Sequence, residues 1–320
     1  MTADSLDRPI VLVVGAASRD VVPDDPRGWR LGGAVTFCSL ALARFGFEVR
    51  ALVGGDAEAT GAEELGLVRD AGVAVAIAEL ASGPVFDNVS HLLHATSDRI
   101  PLTALPRRWT SGFDALLLVP VADEIGDEWA ALGGGQPTPV WAVGLQGFLR
   151  YLAAGELVRP RPPAPSSVLA RASLAVASRD DVLAGLAPES LLNLLAPDAA
   201  LVWTDGAAGG RVMRRDAAGG RLPAGPYPAI PSDRVVDPTG AGDVFLAAML
   251  ATLLQPSLAD GLDGATTFAA AAASLVVEGP GLLGVPDLAA VLRRAARAPS
   301  RASRRPSDAS RCGRGRPSQA

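Results

Sequence analysis

Lysine is missing from all 320 residues; the 29 basic side chains are arginine. That excludes a phosphate-binding loop of the G-x-x-x-x-G-K-[ST] type and Schiff-base chemistry on a lysine amine. Cysteine occurs only as Cys38 and Cys312, which supports neither a disulfide framework nor a zinc site. Histidine occurs only at 91 and 94. Spaced i, i+3 in a segment that reads as extended or irregular, the two make a poor metal pair. A Ser-His-Asp hydrolase would need one of them, and no G-x-S-x-G elbow exists to serve it. Long apolar runs are absent too. IVLVVGAAS, from residue 10, is too short to span a bilayer and lacks the basic leader of a signal peptide. The expectation is a cytoplasmic chain without membrane contact.

What is present describes a globular protein. Hydrophobic residues make up 49% and charged residues 20%, outside the range of disordered chains. Charge is unevenly placed. Residues 297–320 hold seven arginines against one aspartate, which leaves −11 on the first 296 residues out of a total of −5. A Ser/Pro/Gly/Arg mixture without apolar periodicity buries nothing, so 297–320 reads as a disordered basic tail. The acidic body argues against nucleic acid as the main ligand. Small-molecule partners are expected, with the chain a monomer or homodimer.

Short β-rich runs alternate with helical patterns. Strands are expected at 10–15, 48–53, 73–77, 115–119, 140–143, 174–177 and 200–204, and helices at 34–45, 58–70, 244–254, 266–277 and 287–296. Strands that are apolar throughout and alternate with helices mean a parallel sheet covered on both faces. Residues 84–95 (PVFDNVSHLLHA) break the rhythm and suit a small strand pair outside that sheet. RPRPPAPSS at 159–167 resembles a linker, but the alternation continues on both sides, so it reads as a loop within one domain.

The chemistry concentrates in VVDPTGAGDVFLAAML, residues 235–250. A short strand at 234–236, a tight loop and a helix is the layout in which open α/β sheets bind ligands. Glycines at 240 and 242 allow unusual backbone angles and close approach of a ligand. The free N–H groups of the helix's first turn would form an anion hole. Asp243 would stand beside a bound phosphoryl group, where a well-placed carboxylate of ordinary strength is base enough. A plain turn followed by a capping aspartate remains the alternative for G-A-G-D alone.

The longer string D-P-T-G-A-G-D closely resembles the second signature of the ribokinase (PfkB) family of sugar and nucleoside kinases. The resemblance runs over most of residues 10–290. It implies a ribokinase-like, doubly wound, mostly parallel α/β sheet with helices on both faces. A kinase domain would cover 1–296, with a small β lid from about 17–33 and 84–98. Carried over, Asp243 is the catalytic base, and Gly240, Ala241 and Gly242 form the anion hole. Asp20, near the end of IVLVVGAASRDVV, matches the acid that binds acceptor hydroxyls, beside Gly32 and Gly33 of LGGAVTF. TDGAAGG matches the nucleotide turn and gives Thr204, Gly206 and Gly209, joined by Ser178 and Thr239. Asp181 would hold Mg²⁺ through water. The implied cofactors are ATP and Mg²⁺, with a monovalent cation left open.

Three departures stand out. Phe37 occupies the place of an asparagine that contacts the sugar, and would present an aromatic face to the acceptor. The family's N-x-x-E becomes Ser178-Arg-Asp-Asp181. Alanine stands near 270 in place of a frequent asparagine. Phe37, with only eleven residues between Asp20 and Gly32, favours a compact sugar or cyclitol. A nucleoside, or a sugar phosphate bound by Arg19, Arg27 and Arg30, stays open, as does a non-catalytic nucleotide- or sugar-binding relative. A Rossmann oxidoreductase is disfavoured by the lack of G-x-G-x-x-G.

Overall fold

The computed structural model describes residues 8–133, 138–216, 218 and 220–298. The chain opens with β1 (Ile10–Ala16), β2 (Arg19–Val21), β3 (Trp29–Leu31), α1 (Ala34–Arg44) and β4 (Glu48–Gly55). Next come α2 (Ala57–Thr60), α3 (Glu64–Asp70), β5 (Ala74–Glu79), β6 (Val85–Asp87), β7 (Leu92–Ala95), β8 (Ala115–Leu118) and β9 (Val140–Gly144). The middle supplies β10 (Arg150–Tyr151), β11 (Glu156–Leu157), β12 (Arg159–Pro160), β13 (Leu174–Ser178), α4 (Pro188–Leu192) and β14 (Ala200–Thr204). The last third holds β15 (Gly210–Arg215), β16 (Arg221–Tyr227), α5 (Ala241–Leu254), α6 (Gly261–Val276) and α7 (Leu288–Ala296).

The main sheet has the order β16-β15-β14-β13-β9-β8-β1-β4-β5. Every pairing from β5 to β14 is parallel, and β15 and β16 add an antiparallel edge. Covered parallel strands are apolar at every position, because neither face meets water. The ALLL of β8, buried throughout, is the plainest case. Helix α5 is apolar almost all round and buried from Val244 to Thr252, as an interior helix must be. It packs on β9 and β13, with α1 and α6 against it. Phe45 meets Phe268 edge-on at 5.5 Å and ties the end of α1 to α6. Each such buried Leu or Phe contributes roughly 1.5–3 kcal/mol. The layer is therefore a rigid support for whatever its N-termini carry.

A second sheet, ordered β11-β7-β6-β2-β3, stands apart from the first. Three stretches of chain build it. The strand pair expected at 84–95 is β6 and β7, and β2 pairs with β6 in parallel and with β3 antiparallel. The Pro-rich run begins as β12, hydrogen-bonded to β10.

Three local expectations change. The helix expected at 58–70 is two helices. Asp56 caps the first by accepting from Ala59 N–H, and Gly61 ends it. No strand forms at 234–236; the N–H groups of Val236 and Asp237 donate instead to Val277 O, at 2.7 and 3.2 Å. Helices α5 and α6 begin several residues earlier than their apolar periodicity, at Ala241 and Gly261. The basic tail from residue 299 lies outside the described residues, and Arg297 caps α7.

Candidate active site

The loop from Asp237 to Asp243 is held from both ends. Asp237 Oδ1 accepts from Thr239 N–H at 2.9 Å, and its Oδ2 accepts from Gly281 N–H at 3.0 Å, across the turn after α6. Gly240 then adopts φ 83°, a left-handed angle that glycine takes without strain. A Cβ at Gly240 would also overlap the Phe37 ring. Ala241 and Val244 turn their N–H groups back onto Pro238 O and Gly240 O. The N–H groups of Gly242 and Asp243 meet no acceptor among the described residues. They are the free donors of a helix N-terminus, backed by the positive end of its dipole. Gly242 departs from expectation: its φ is not positive, because the helix has already started at Ala241. A Cβ at Gly242 would meet nothing within 4 Å, so the position faces open space.

Phe37 also departs from expectation. It is 1% exposed and forms the floor under Gly240, so it presents no face to an acceptor. The next residue, Cys38, donates its Sγ–H to Asp243 O at 3.3 Å. Through these two neighbours α1 fixes the height and angle of the α5 N-terminus.

Asp20 lies across the cleft on β2, 9% exposed. Ser18 Oγ donates to Asp20 Oδ1 at 2.7 Å. Gly32 gives the carboxylate room, since a Cβ there would overlap Asp20 Oδ2. Gly33 (φ 91°) is the N-cap of α1 and lies against Ala16 O and Ala17. Burial pushes the Asp20 carboxyl up to about 6 and the Asp237 charge adds to the rise, whereas Ser18, the Asn88 side chain and Arg150 hold it down. Asn88 belongs to the exposed turn between β6 and β7, so the second sheet reaches the same carboxylate. The three arginines of the β2–β3 hairpin are occupied: Arg19 pairs with Asp56 and Glu58, Arg27 with Glu64 and Asp25, and Arg30 with Asp25.

The half-buried Asp243 carboxyl is pushed up to about 7. Desolvation is the main cause; the Asp181 and Asp20 charges raise it further and Arg150 lowers it. Asp20, Asp181, Asp243 and Arg150 thus share one electrostatic neighbourhood at the carboxyl edge of the sheet. Asp181 ends the short turn after β13, and Arg150 donates to its Oδ1 twice, from Nε at 3.1 Å and Nη2 at 2.8 Å. Ser178 and Thr204 stand side by side in register at the ends of β13 and β14. Gly206 and Gly209 form the turn that follows Thr204. Among the described residues no group of three or more His, Cys, Asp and Glu side chains could hold a metal.

Of the expected site residues, Asp20 and Asp181 act electrostatically on Asp243, Ser178 and Thr204 pair at neighbouring strand ends, and Phe37 lies beneath Gly240. Sequence reasoning missed Arg150 and Asn88. Neither belongs to a periodic pattern or a local glycine signature, and each reaches the site only through the pairing of distant segments.

Residues 165–287 match the profile of the pfkB family carbohydrate kinases. Among solved structures, a pyrophosphate-dependent kinase of the ribokinase family, complexed with a pyrophosphate analog and myo-inositol, superposes with a TM-score of 0.66. It is 19% identical, with 85% of this chain and 96% of that one covered. The ribokinase of Arabidopsis thaliana, complexed with ribose and ATP, gives 0.63 at 16% identity, covering 90% and 99%. The nucleoside kinase of Methanocaldococcus jannaschii gives 0.63 at 15%, covering 91% and 99%. At these identities the likeness is one of fold, and the fold is ribokinase-like. No curated protein matches the chain.

Proposed function

We propose that the protein is a phosphotransferase of the pfkB carbohydrate-kinase kind, acting on an alcohol group, and that its acceptor is a small free polyol or monosaccharide, a cyclitol foremost. Asp243 takes the hydroxyl proton, and the Gly240–Ala241–Gly242 loop receives the phosphoryl group at the N-terminus of α5. Asp20, supported by Ser18 and approached by Asn88, accepts from the acceptor's neighbouring hydroxyls. ATP is the donor, held by the Thr204–Gly209 turn with Ser178 and Thr239. The described residues fit Mg²⁺ as this chemistry uses it, since the ion leans on one carboxylate, its own waters and substrate phosphates. Asp181 would hold it through water, and the ion would neutralise phosphate charge.

The observation that carries this reading is the free N-terminus of α5, with Asp243 in its first turn and Asp20 close enough to act on it, both carboxyls raised by burial. A sensor that only binds has no use for a base there. Occupation of Arg19, Arg27 and Arg30 by carboxylates favours a free acceptor over a sugar phosphate. The neighbours bind myo-inositol with a pyrophosphate analog and ribose with ATP, so both donors belong in the test.

The experiment is a panel of inositols, free sugars, nucleosides and sugar monophosphates, each with ATP or pyrophosphate, scored by donor cleavage. Turnover is expected on a free polyol or sugar with ATP. Asp243→Asn should lose about 10²–10⁴-fold in kcat, and Asp20→Ala should raise the acceptor KM by at least tenfold. Turnover confined to nucleosides or sugar phosphates removes the acceptor assignment. An Asp243→Asn enzyme with more than several per cent of wild-type kcat removes the base.

A further inference from the structure

One cation acts on both of the carboxylates just assigned. Arg150 opens β10, on the segment that leaves the carboxyl end of β9, and its side chain is one-fifth exposed. Two of its N–H groups are on Asp181 Oδ1. With the Gln146 amide turned so that its oxygen faces the guanidinium, that oxygen accepts from Nη1 at 3.1 Å and from Nη2. Of the five guanidinium donors, one Nη1 hydrogen then meets no acceptor among the described residues. Above the group, 5.9 Å away, is the ring of Phe86 on β6 of the second sheet. Arg150 lines a cavity of about 150 Å³ together with Phe86, Asn88, His91 and Asp181. From there its charge lowers both Asp20 and Asp243.

We propose that Arg150 is a catalytic residue, the side-chain cation that touches the phosphoryl group as it passes between donor and acceptor. The proposal rests on the kinase reading above. In phosphoryl transfer the acceptor oxygen bonds to phosphorus while the bond from phosphorus to the donor's bridging oxygen breaks. The hydroxyl proton goes to Asp243, and negative charge spreads over three equatorial oxygens. A chain without lysine has no ammonium for those oxygens, and the loop at 240–242 brings only backbone dipoles. A guanidinium neither gains nor loses a proton here, and its planar fork can keep Asp181 on one edge while turning the other to the phosphoryl group. Gln146 and Asp181 hold it in that attitude before substrate arrives, so little reorganisation is needed.

The alternative is a tie that merely anchors β10 to Asp181, and four measurements separate the two. Arg150→Ala should lower kcat about 10²–10³-fold with the acceptor KM changed less than threefold, and Arg150→Lys should recover little of that loss. The acid limb of kcat should move to higher pH in Arg150→Ala, because a cation that lowers Asp243 has gone. Guanidinium ion added to Arg150→Ala should restore part of the rate, which a structural tie gives no reason to expect. Thermal shift supplies a readout that needs no acceptor. ADP with aluminium fluoride should stabilise the wild type more than ADP alone, and Arg150→Ala should lose that difference. Arg150→Ala with kcat within threefold of wild type, or with the aluminium fluoride difference intact, overturns the proposal. If Asp243→Asn is dead in the same assays, the kinase reading survives that failure. Wild type inert on every pair fails the kinase reading, and the aluminium fluoride difference then decides Arg150 alone.

Discussion

At the scale of single residues the site is governed by where its carboxylates would rather be protonated. Asp243 is raised from an ordinary 3.8 to about 7, chiefly by desolvation and then by the charge of Asp181. Only the deprotonated form is a base, so kcat/KM should climb along a one-proton acid limb centred near pH 7 and level off above it. Stability runs the other way. A group whose folded pKa exceeds its unfolded one binds more protons in the native state, so its contribution is present at low pH and lost as pH rises through the folded value. Asp243→Asn should therefore be no less stable than wild type at pH 8, with a melting temperature about 2–4 °C higher, while turnover is gone. The advantage should vanish near pH 4. A lower melting temperature at pH 8 would mean that the carboxylate is structurally needed. Asp243 was legible because D-P-T-G-A-G-D is contiguous and its chemistry is local. Arg150 and Asn88 were not, because nothing in their own neighbourhoods marks them; strand pairing alone brings them to Asp181 and Asp20.

At the scale of elements, the pairing of α1 with α5 explains both where the sequence succeeded and where it misled. Apolar runs of the right length announced α1, α5, α6, α7 and the buried parallel strands, but not the short α4. The break at Gly61 is local, an Asp56 cap and a glycine end inside a run that reads as one amphipathic helix, whereas the unpaired stretch at 234–236 depends on the bonds to Val277 O, which no local pattern carries. The same holds for Phe37, which read as a substrate contact and is instead the floor of the anion loop. Phe37→Ala should cost about 3–5 kcal/mol, the usual loss for a buried aromatic, measured by denaturant unfolding. Gly242→Val probes the other side of the same loop. Its Cβ meets no atom and its backbone is helical, where valine is favoured over glycine by about a few tenths of a kcal/mol, so folding stability should not fall. It would nevertheless fill the space in front of the free N–H groups, and kcat should fall at least 100-fold. A melting temperature that collapsed with activity would make Gly242 structural.

At the scale of the whole molecule, the question is what holds the second sheet against the first. The β2–β3 hairpin is bound to the α2–α3 segment by Arg19 on Asp56 and Glu58 and by Arg27 on Glu64, and Trp29 is flanked by both guanidiniums. The β6–β7 turn, which carries Asn88, is exposed, and its Asp87 orders it by accepting from Val89 and Ser90 N–H. One half of the cover over the cleft is thus braced to the body and the other half projects. Surface ion pairs of this kind contribute about 0–1 kcal/mol to folding, so their removal should hardly register in stability. Their effect should fall on the orientation of the strand that carries Asp20, because β2 and β3 share one hydrogen-bonded ladder in which Asp20 faces Arg30. Arg27→Ala should accordingly leave the melting temperature within about 2 °C and raise the acceptor KM several-fold. The donor KM should stay put, since the turn proposed to hold the donor follows β14, away from the hairpin. A rise in both Michaelis constants would point to general loosening. No change in either would show that the hairpin takes no part in enclosing the acceptor.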